Sequence, residues 1–375
     1  MSSLRGYRAE NLAFTLVELM VAIAVLVILL GLLLAITSTV SKTVLYTSAK
    51  IDAFAAGRAG FDLMSQKLSQ ATLNTYWDYD NPIAPQAYYR QSDMQFIVRQ
   101  NQQAGGYGQE VYFATPSTYS ASSTLRSTDG LLNACSFYVE FIGDTSFRPN
   151  SFGGTQKHYR YRLVQGLEPT ENFSMYANWP TPPALNATSA AWTTYWTTTG
   201  SAANWPYNWT SSNPHFWINT VSNKGVTGNG LTSALNTSVT PLADNVIALV
   251  IWPRLSPVED ATGNKLTTNY TYDSQAGAIV SGGATQPLTA NQLPPTIQVT
   301  MIVISAASAA RLDTGSTPPT VIETALSGKF TKSDVTDYAN DLASVGTSLA
   351  AAHIQYQVLN TTITMKESKW SDNSQ

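Results

Sequence analysis

Apolar and polar positions divide the chain into three textures. The first is Phe14 to Ile36, FTLVELMVAIAVLVILLGLLLAI, and no charge occurs from Leu19 to Ser41. A helix of ~20 such residues matches the ~30 Å hydrocarbon core of a bilayer. The run exceeds the ~7–15-residue apolar region of a secretory signal peptide, and no strong small-x-small cleavage site follows it. It predicts a retained transmembrane helix over 14–36. Arg5 and Arg8 precede it, and only Lys42 and Lys50 follow closely. That asymmetry favours a short cytoplasmic N-terminus and an exported body.

The second texture is helical. Val40, Val44, Ile51, Phe54, Phe61, Met64, Leu68 and Ala71 fall on one apolar stripe. They predict an amphipathic extension over 37–72. Gly57 and Gly60 weaken it, each by ~1 kcal/mol against Ala. A single helix over 14–72 would run roughly 88 Å at ~1.5 Å per residue. The alternative is a membrane helix and a separate soluble helix, broken at Thr37-Ser38-Thr39.

The third texture is β. Asp93–Gln100, Glu110–Thr115, Cys135–Ile142, His158–Val164, Asn245–Trp252, Thr296–Ser305 and Ile354–Met365 all read as strands. In His158–Val164, Tyr159, Tyr161 and Leu163 share one face, and Arg160 and Arg162 the other. Strands separated by turns suggest an antiparallel sheet, so the fold class is α+β, with the long N-terminal helix packed on the sheet. A last helix is expected over Asp334–Ala352, with Ser333 as its N-cap. An exported β-rich domain over 73–375 would hold a loop-rich insertion at about 168–235. There Trp179, Trp192, Trp196, Trp205, Trp209 and Trp217 stand among Pro, Asn, Ser and Thr. Those aromatics either form a glycan- or surface-binding patch (Trp192, Trp196, Trp205 and Trp209) or bury one another.

Composition narrows the chemistry. Charged residues are 12% of the chain, against ~25% in ordinary soluble domains. No block of like charge suggests a nucleic-acid surface. One cysteine, Cys135, cannot form an intrachain disulfide, and reads as a small buried hydrophobe. His158, His215 and His353 lie far apart, and no Cys/His cluster offers a zinc site. Asp78 and Asp80 resemble half of a cation site, but calcium needs ~6–8 oxygens. The blander reading is a helix-to-sheet turn whose Tyr76, Trp77 and Tyr79 pack under the sheet. No G-x-S-x-G, H-E-x-x-H or phosphate loop is visible. We therefore expect neither an enzyme nor a bound cofactor or metal.

Glu18 is out of place beside so apolar a run, where acidic residues are usually functional. It also suits a local role. Thr15 and Glu18 fit a capping box, with Phe14 and Leu19 as hydrophobic staple, and the helix dipole favours a carboxylate in the first turn. The two roles are compatible.

At Ala13-Phe14-Thr15-Leu16-Val17-Glu18 the chain resembles type IV prepilins and the pseudopilins of type II secretion. The resemblance implies a leader over 1–13, cut by a prepilin peptidase between Ala13 and Phe14, and N-methylation of Phe14. It implies that Glu18 pairs with the N-terminal amine of a neighbouring subunit during assembly. The family usually has Gly where this chain has Ala13. Two further stretches, Leu68 to Asp80 and His353 to Ser371, look like the Verru_Chthon cassette protein C family of prepilin-type proteins. Together these resemblances imply a minor pilin or pseudopilin with a periplasmic body, tethered by one span to the inner membrane and reaching the cell surface on assembly. Its partners would be the prepilin peptidase and other pilin-like subunits, met through the N-terminal helix. The alternative is a membrane-tethered binding module that uses the Trp-rich insertion.

Overall fold

The computed structural model describes residues 16–79, 86–120, 122–125, 130–144, 158–172, 188, 238–277 and 285–371. The chain divides into two compact units, Met1–Ile51 and Asp52–Gln375. One helix, α1 (Leu16–Ser69), crosses that division. The expected break at Thr37-Ser38-Thr39 does not occur. The hydroxyls of Thr37, Thr39 and Thr43 donate to the carbonyls of Leu33, Ala35 and Thr39, at 2.8, 2.9 and 2.9 Å. Each polar side chain is thus satisfied by the turn preceding it, and the helix continues.

In the second unit the end of α1 presents the expected stripe. Phe61, Met64 and Leu68 are buried, and Phe54 packs partly against the same core. The glycines of this stretch matter for space rather than for flexibility. A Cβ at Gly57 would lie 3.1 Å from Val303 Cγ2, and one at Gly60 would lie 3.2 Å from Ala243 Cβ. After the helix the chain passes straight into the sheet, where the Thr72 amide donates to the Ala114 carbonyl at 2.9 Å.

The strands follow as β1 (Tyr76–Tyr79), β2 (Tyr88–Gln91), β3 (Ile97–Gln100), β4 (Gln109–Ser117), β5 (Leu131–Gly143) and β6 (Tyr159–Glu168). Then come β7 (Ser238–Asp244), β8 (Val246–Arg254), β9 (Tyr272–Asp273) and β10 (Thr296–Ile304). Three helices, α2 (Ala306–Arg311), α3 (Thr320–Leu326) and α4 (Val335–Ala351), precede the last strand, β11 (Tyr356–Thr364). Among the described residues the strand pairs are antiparallel, so the α+β class stands.

The sheet is not single. β1 and β2 form a separate hairpin, six strands run in the order β7-β6-β5-β4-β3-β9, and three in the order β11-β10-β8. The chain changes sheet at Asn245, which takes φ 64° between β7 and β8. Its amide donates to the Tyr161 carbonyl at 2.7 Å, and its carbonyl accepts from the Ile304 amide at 2.9 Å. That one residue ties β6 to β10. Gly108 makes a second close contact between the two larger sheets. At φ 86° it bridges to Leu249, and a Cβ there would sit 2.0 Å from the Leu249 carbonyl oxygen. Only glycine tolerates both constraints. One continuous core lies between the sheets, with Val111, Phe113, Phe137 and Val139 from one and Leu249, Ile251, Met301 and Val303 from the other.

The last helix is capped by Asp334, not by Ser333. An Asp334 carboxylate oxygen accepts from the Thr336 amide at 2.8 Å. Ser333 is buried one position earlier, and its hydroxyl donates to the Thr267 carbonyl. Both residues are good caps by type, and burial of Ser333 against the 267 loop decides between them.

Candidate functional site: the exposed N-terminal helix

The first part of α1 is the strongest candidate. Leu16–Leu45 is a 30-residue stretch of α1, with mean hydropathy 3.3 in its most apolar 18 residues, long and apolar enough by length and composition to cross a membrane. At ~1.5 Å per residue it measures about 45 Å. None of that apolar stretch is buried within the chain. Leu16, Met20, Leu33 and Leu34 are each more than half exposed, as are residues on every other side of the helix. A helix apolar all round either crosses a bilayer or lies in the core of something larger. Among the described residues none of its most apolar window is buried.

Glu18 stands in the first turn of this helix, with its side chain exposed. The helix dipole favours a carboxylate at that place. Thr15, Ala13 and Phe14, which the capping box and the cleavage site require, lie outside the described residues. So do Trp192, Trp196, Trp205 and Trp209.

The root of the Trp-rich insertion is described. It leaves the six-stranded sheet at the end of β6 and returns at β7, between adjacent antiparallel strands. Thr170–Asn172 form a short 3-10 turn at its start. Glu171 holds that turn against the preceding loop, its Oε1 accepting from Ser120 Oγ and from the Ser122 amide at 2.8 Å each.

The expectation for the helix-to-sheet junction needs correction. Trp77 and Tyr79 do not pack under the sheet; they are 56% and 44% exposed. The segment forms its own hairpin with β2, in the register Trp77↔Arg90 and Tyr79↔Tyr88. Opposed residues of an antiparallel pair share a face, so Trp77, Tyr79 and Tyr88 line one side. The Tyr79 and Tyr88 rings are 4.6 Å apart, and Tyr88 Oη donates to Tyr79 Oη at 2.8 Å. That hydrogen bond holds the Tyr88 phenol above its usual pKa. Asp78, meanwhile, caps its own strand, accepting from the Tyr79 amide at 2.7 Å. No group of three or more His, Cys, Asp or Glu that could hold a metal occurs among the described residues.

The buried charges serve the sheet. Glu110, fully buried, accepts from Arg99 and from Gln103 Nε2. Arg162 donates to Asp244 at 2.7 Å and to the Ile142 carbonyl at 2.7 Å, tying β6 to β7 and β5. Cys135 is fully buried on β5, as its strand position suggested, with Gln165 Nε2 donating to Sγ at 3.6 Å. Burial pushes its thiol up to about 12, so the thiolate needed for nucleophilic chemistry is absent at neutral pH.

Sequence reasoning missed a slot beside the sheet-switching corner, lined by Phe141, Tyr161, Asn245 and Ile322 among others. Its walls come from segments separated by up to ~180 positions, so no local motif marks it. No family model, no curated protein and no solved structure matches the chain.

Proposed function

We propose that the chain is a structural subunit, a minor pilin or pseudopilin of a type IV pilus-like or type II secretion-like assembly. The observation that carries this reading is the unbroken helix Leu16–Ser69. It is apolar on all sides and unburied over its first 30 residues, and it carries one carboxylate at its first turn. Such a surface is stable in lipid before assembly, and against the helices of other subunits afterwards. Moving those side chains from lipid to other helices gains no water-to-apolar transfer energy, so close side-chain packing between helices has to hold the assembly together. The start of the chain, Ala13-Phe14-Thr15-Leu16-Val17-Glu18, supports processing by a prepilin peptidase.

In this reading the peptidase cuts between Ala13 and Phe14 on the cytoplasmic face of the inner membrane, and Phe14 is N-methylated. The exported domain, 73–375, faces the periplasm. During assembly Glu18 meets the Phe14 amine of a neighbour and offsets its own desolvation. A buried pair of that kind sets register more reliably than it adds stability. The mechanism is assembly, with no reaction catalysed.

Intact mass and N-terminal analysis of the protein from native membranes test the processing. A chain beginning at methylated Phe14, with 375 − 13 = 362 residues, supports the reading; one beginning at Met1 refutes it. Glu18→Ala tests the assembly. The variant is expected to be processed normally and to disappear from sheared filaments. Its recovery there at wild-type levels refutes the role given to Glu18.

A further inference from the structure

The edges of the described sheets differ in how they are protected. An unpaired edge offers a row of N–H and C=O groups to any extended chain, so folded proteins blunt their edges with proline, bulges, short strands or charge. β7 carries Pro241 and a register shift against β6, and β9 has only two residues. β8 is buried over all but its last residue and bridged to Gly108. β1 and β2 have four residues each. β11 has none of these devices. It is nine residues long, YQVLNTTIT, with no charge and no proline, and it pairs with β10 without a register shift.

The ladder shows which groups of β11 face outward. The Ser305 amide donates to the Gln355 carbonyl at 2.9 Å, and the Met365 amide to the Pro295 carbonyl at 3.0 Å. Each bond joins opposed residues, one step beyond either end of the register. In an antiparallel pair such bonded positions alternate, so the odd-numbered residues of β11 turn their backbone groups to β10. Tyr356, Val358, Asn360, Thr362 and Thr364 turn theirs outward. None of those N–H and C=O groups meets a partner among the described residues.

We propose that β11 is a dimer interface, where a second copy of this chain adds its own β11, antiparallel and in register about Asn360. The outward positions are symmetric about that residue. A two-fold axis there sets Asn360 against Asn360, Val358 against Thr362 and Tyr356 against Thr364. Each outward donor then finds an acceptor, and no like charges face each other. Past the paired span, Glu367 of one copy runs toward His353 of the other, where the exposed Arg311 donates to the His353 carbonyl at 2.7 Å. The overlying helix leaves room for this. α4 crosses β10 where Tyr338 Oη meets Thr300 Oγ1 at 2.7 Å, and β11 where a Cβ on Gly346 would lie 2.5 Å from Tyr356 Oη. Two such helices on one face of the joined sheet stand about 10 Å apart, two strand spacings of ~4.8 Å. Ala339, Ala343 and Ala350, exposed and on one stripe with Gly346, suit the ~8–10 Å separation of packed helices. An isologous pair closes on itself, so the contact makes dimers and does not propagate. It involves no residue of α1.

The test is cysteine cross-linking and sedimentation of the full-length chain in detergent micelles, where Cys135 is fully buried and does not compete. Asn360→Cys sets two thiols opposite each other with Cα atoms ~5.5 Å apart, within disulfide reach. It is expected to give a covalent dimer under mild oxidation. Thr364→Cys alone should give none, because its own copy lies ~27 Å away at ~3.4 Å per residue; co-expressed with Tyr356→Cys it should link to that chain. Wild type is expected to sediment as a dimer. Thr362→Pro removes one outward N–H and spares the bonds to β10, and Asn360→Lys sets two cations face to face. Each should weaken the dimer at least tenfold, and Asn360→Lys, at an exposed position, decides the matter if Thr362→Pro fails to fold. Dimers held through α1 alone would persist in Asn360→Lys and show no preference for Asn360→Cys over Thr364→Cys. That pattern overturns the proposal, as does a monomeric wild type.

Discussion

Replacing Asp260 should loosen the loop that covers Trp252, and the structure sets the size of the effect. Asp260 is 2% exposed and organises the turn after β8. Its Oδ1 accepts from the Gly263 amide at 2.8 Å and from Thr262 Oγ1 at 3.0 Å, and its Oδ2 accepts from the Lys265 amide at 2.8 Å. Gly263 in turn accepts from Trp252 Nε1 at 3.0 Å, so the loop closes over an indole that is only 1% exposed. Hydrogen bonds to a charged group contribute ~1.5–3 kcal/mol each. The neighbours Val258 and Glu259 are exposed, so water can replace part of the loss. We expect Asp260→Ala to cost about 2–4 kcal/mol, and Asp260→Asn somewhat less, because its oxygen keeps one acceptor site. Urea unfolding followed by circular dichroism measures both.

The pH dependence carries the sharper test. Burial alone would raise the Asp260 pKa, but the donors from Lys265, Gly263 and Thr262 outweigh it and hold the carboxyl below its usual value. A group with a depressed folded pKa contributes stability that is fully present above the unfolded value of ~3.9. That contribution is lost as pH falls through the folded value. The gap between wild type and Asp260→Asn should thus be constant above about pH 5 and shrink below it. A gap that widens in acid, or an Asp260→Ala cost under about 0.5 kcal/mol, refutes the reasoning.

Two further outcomes follow from the packing. Gly57→Leu should destabilise the fold by about 1–3 kcal/mol through overpacking against Val303, whereas Gly31→Leu, with nothing within 4 Å of its added Cβ, should leave unfolding unchanged; equal effects at the two positions would refute the close seating of α1. Cys135 should resist maleimide in the folded protein and react at the unfolding rate. Because burial raises its folded pKa to about 12, its contribution to stability should decline as pH rises above the unfolded value of ~8.5. Rapid labelling in native buffer would contradict its burial.

What the sequence by itself determined is the part built from local pattern. The apolar run after Glu18 predicts a helix whatever surrounds it, because no charge or proline interrupts it from Leu19 to Ser41. The seven expected strands all appear, because alternation and β-branched runs report a half-buried ladder without reference to partners. The buried state of Cys135 was legible for the same reason. Tertiary structure alone decided matters of partnership. It split one expected sheet into two larger sheets and a hairpin, since pairing across long separations leaves no local trace. It turned Gly57 and Gly60 from weak points of a helix into the places where the helix meets Val303 and Ala243. It moved the cap from Ser333 to Asp334 by burying the former. It put Trp77 and Tyr79 in water, and it brought Tyr161 to Asn245 across 84 positions (245 − 161). In each case the local sequence allowed two outcomes of similar energy, and burial against a distant segment chose between them.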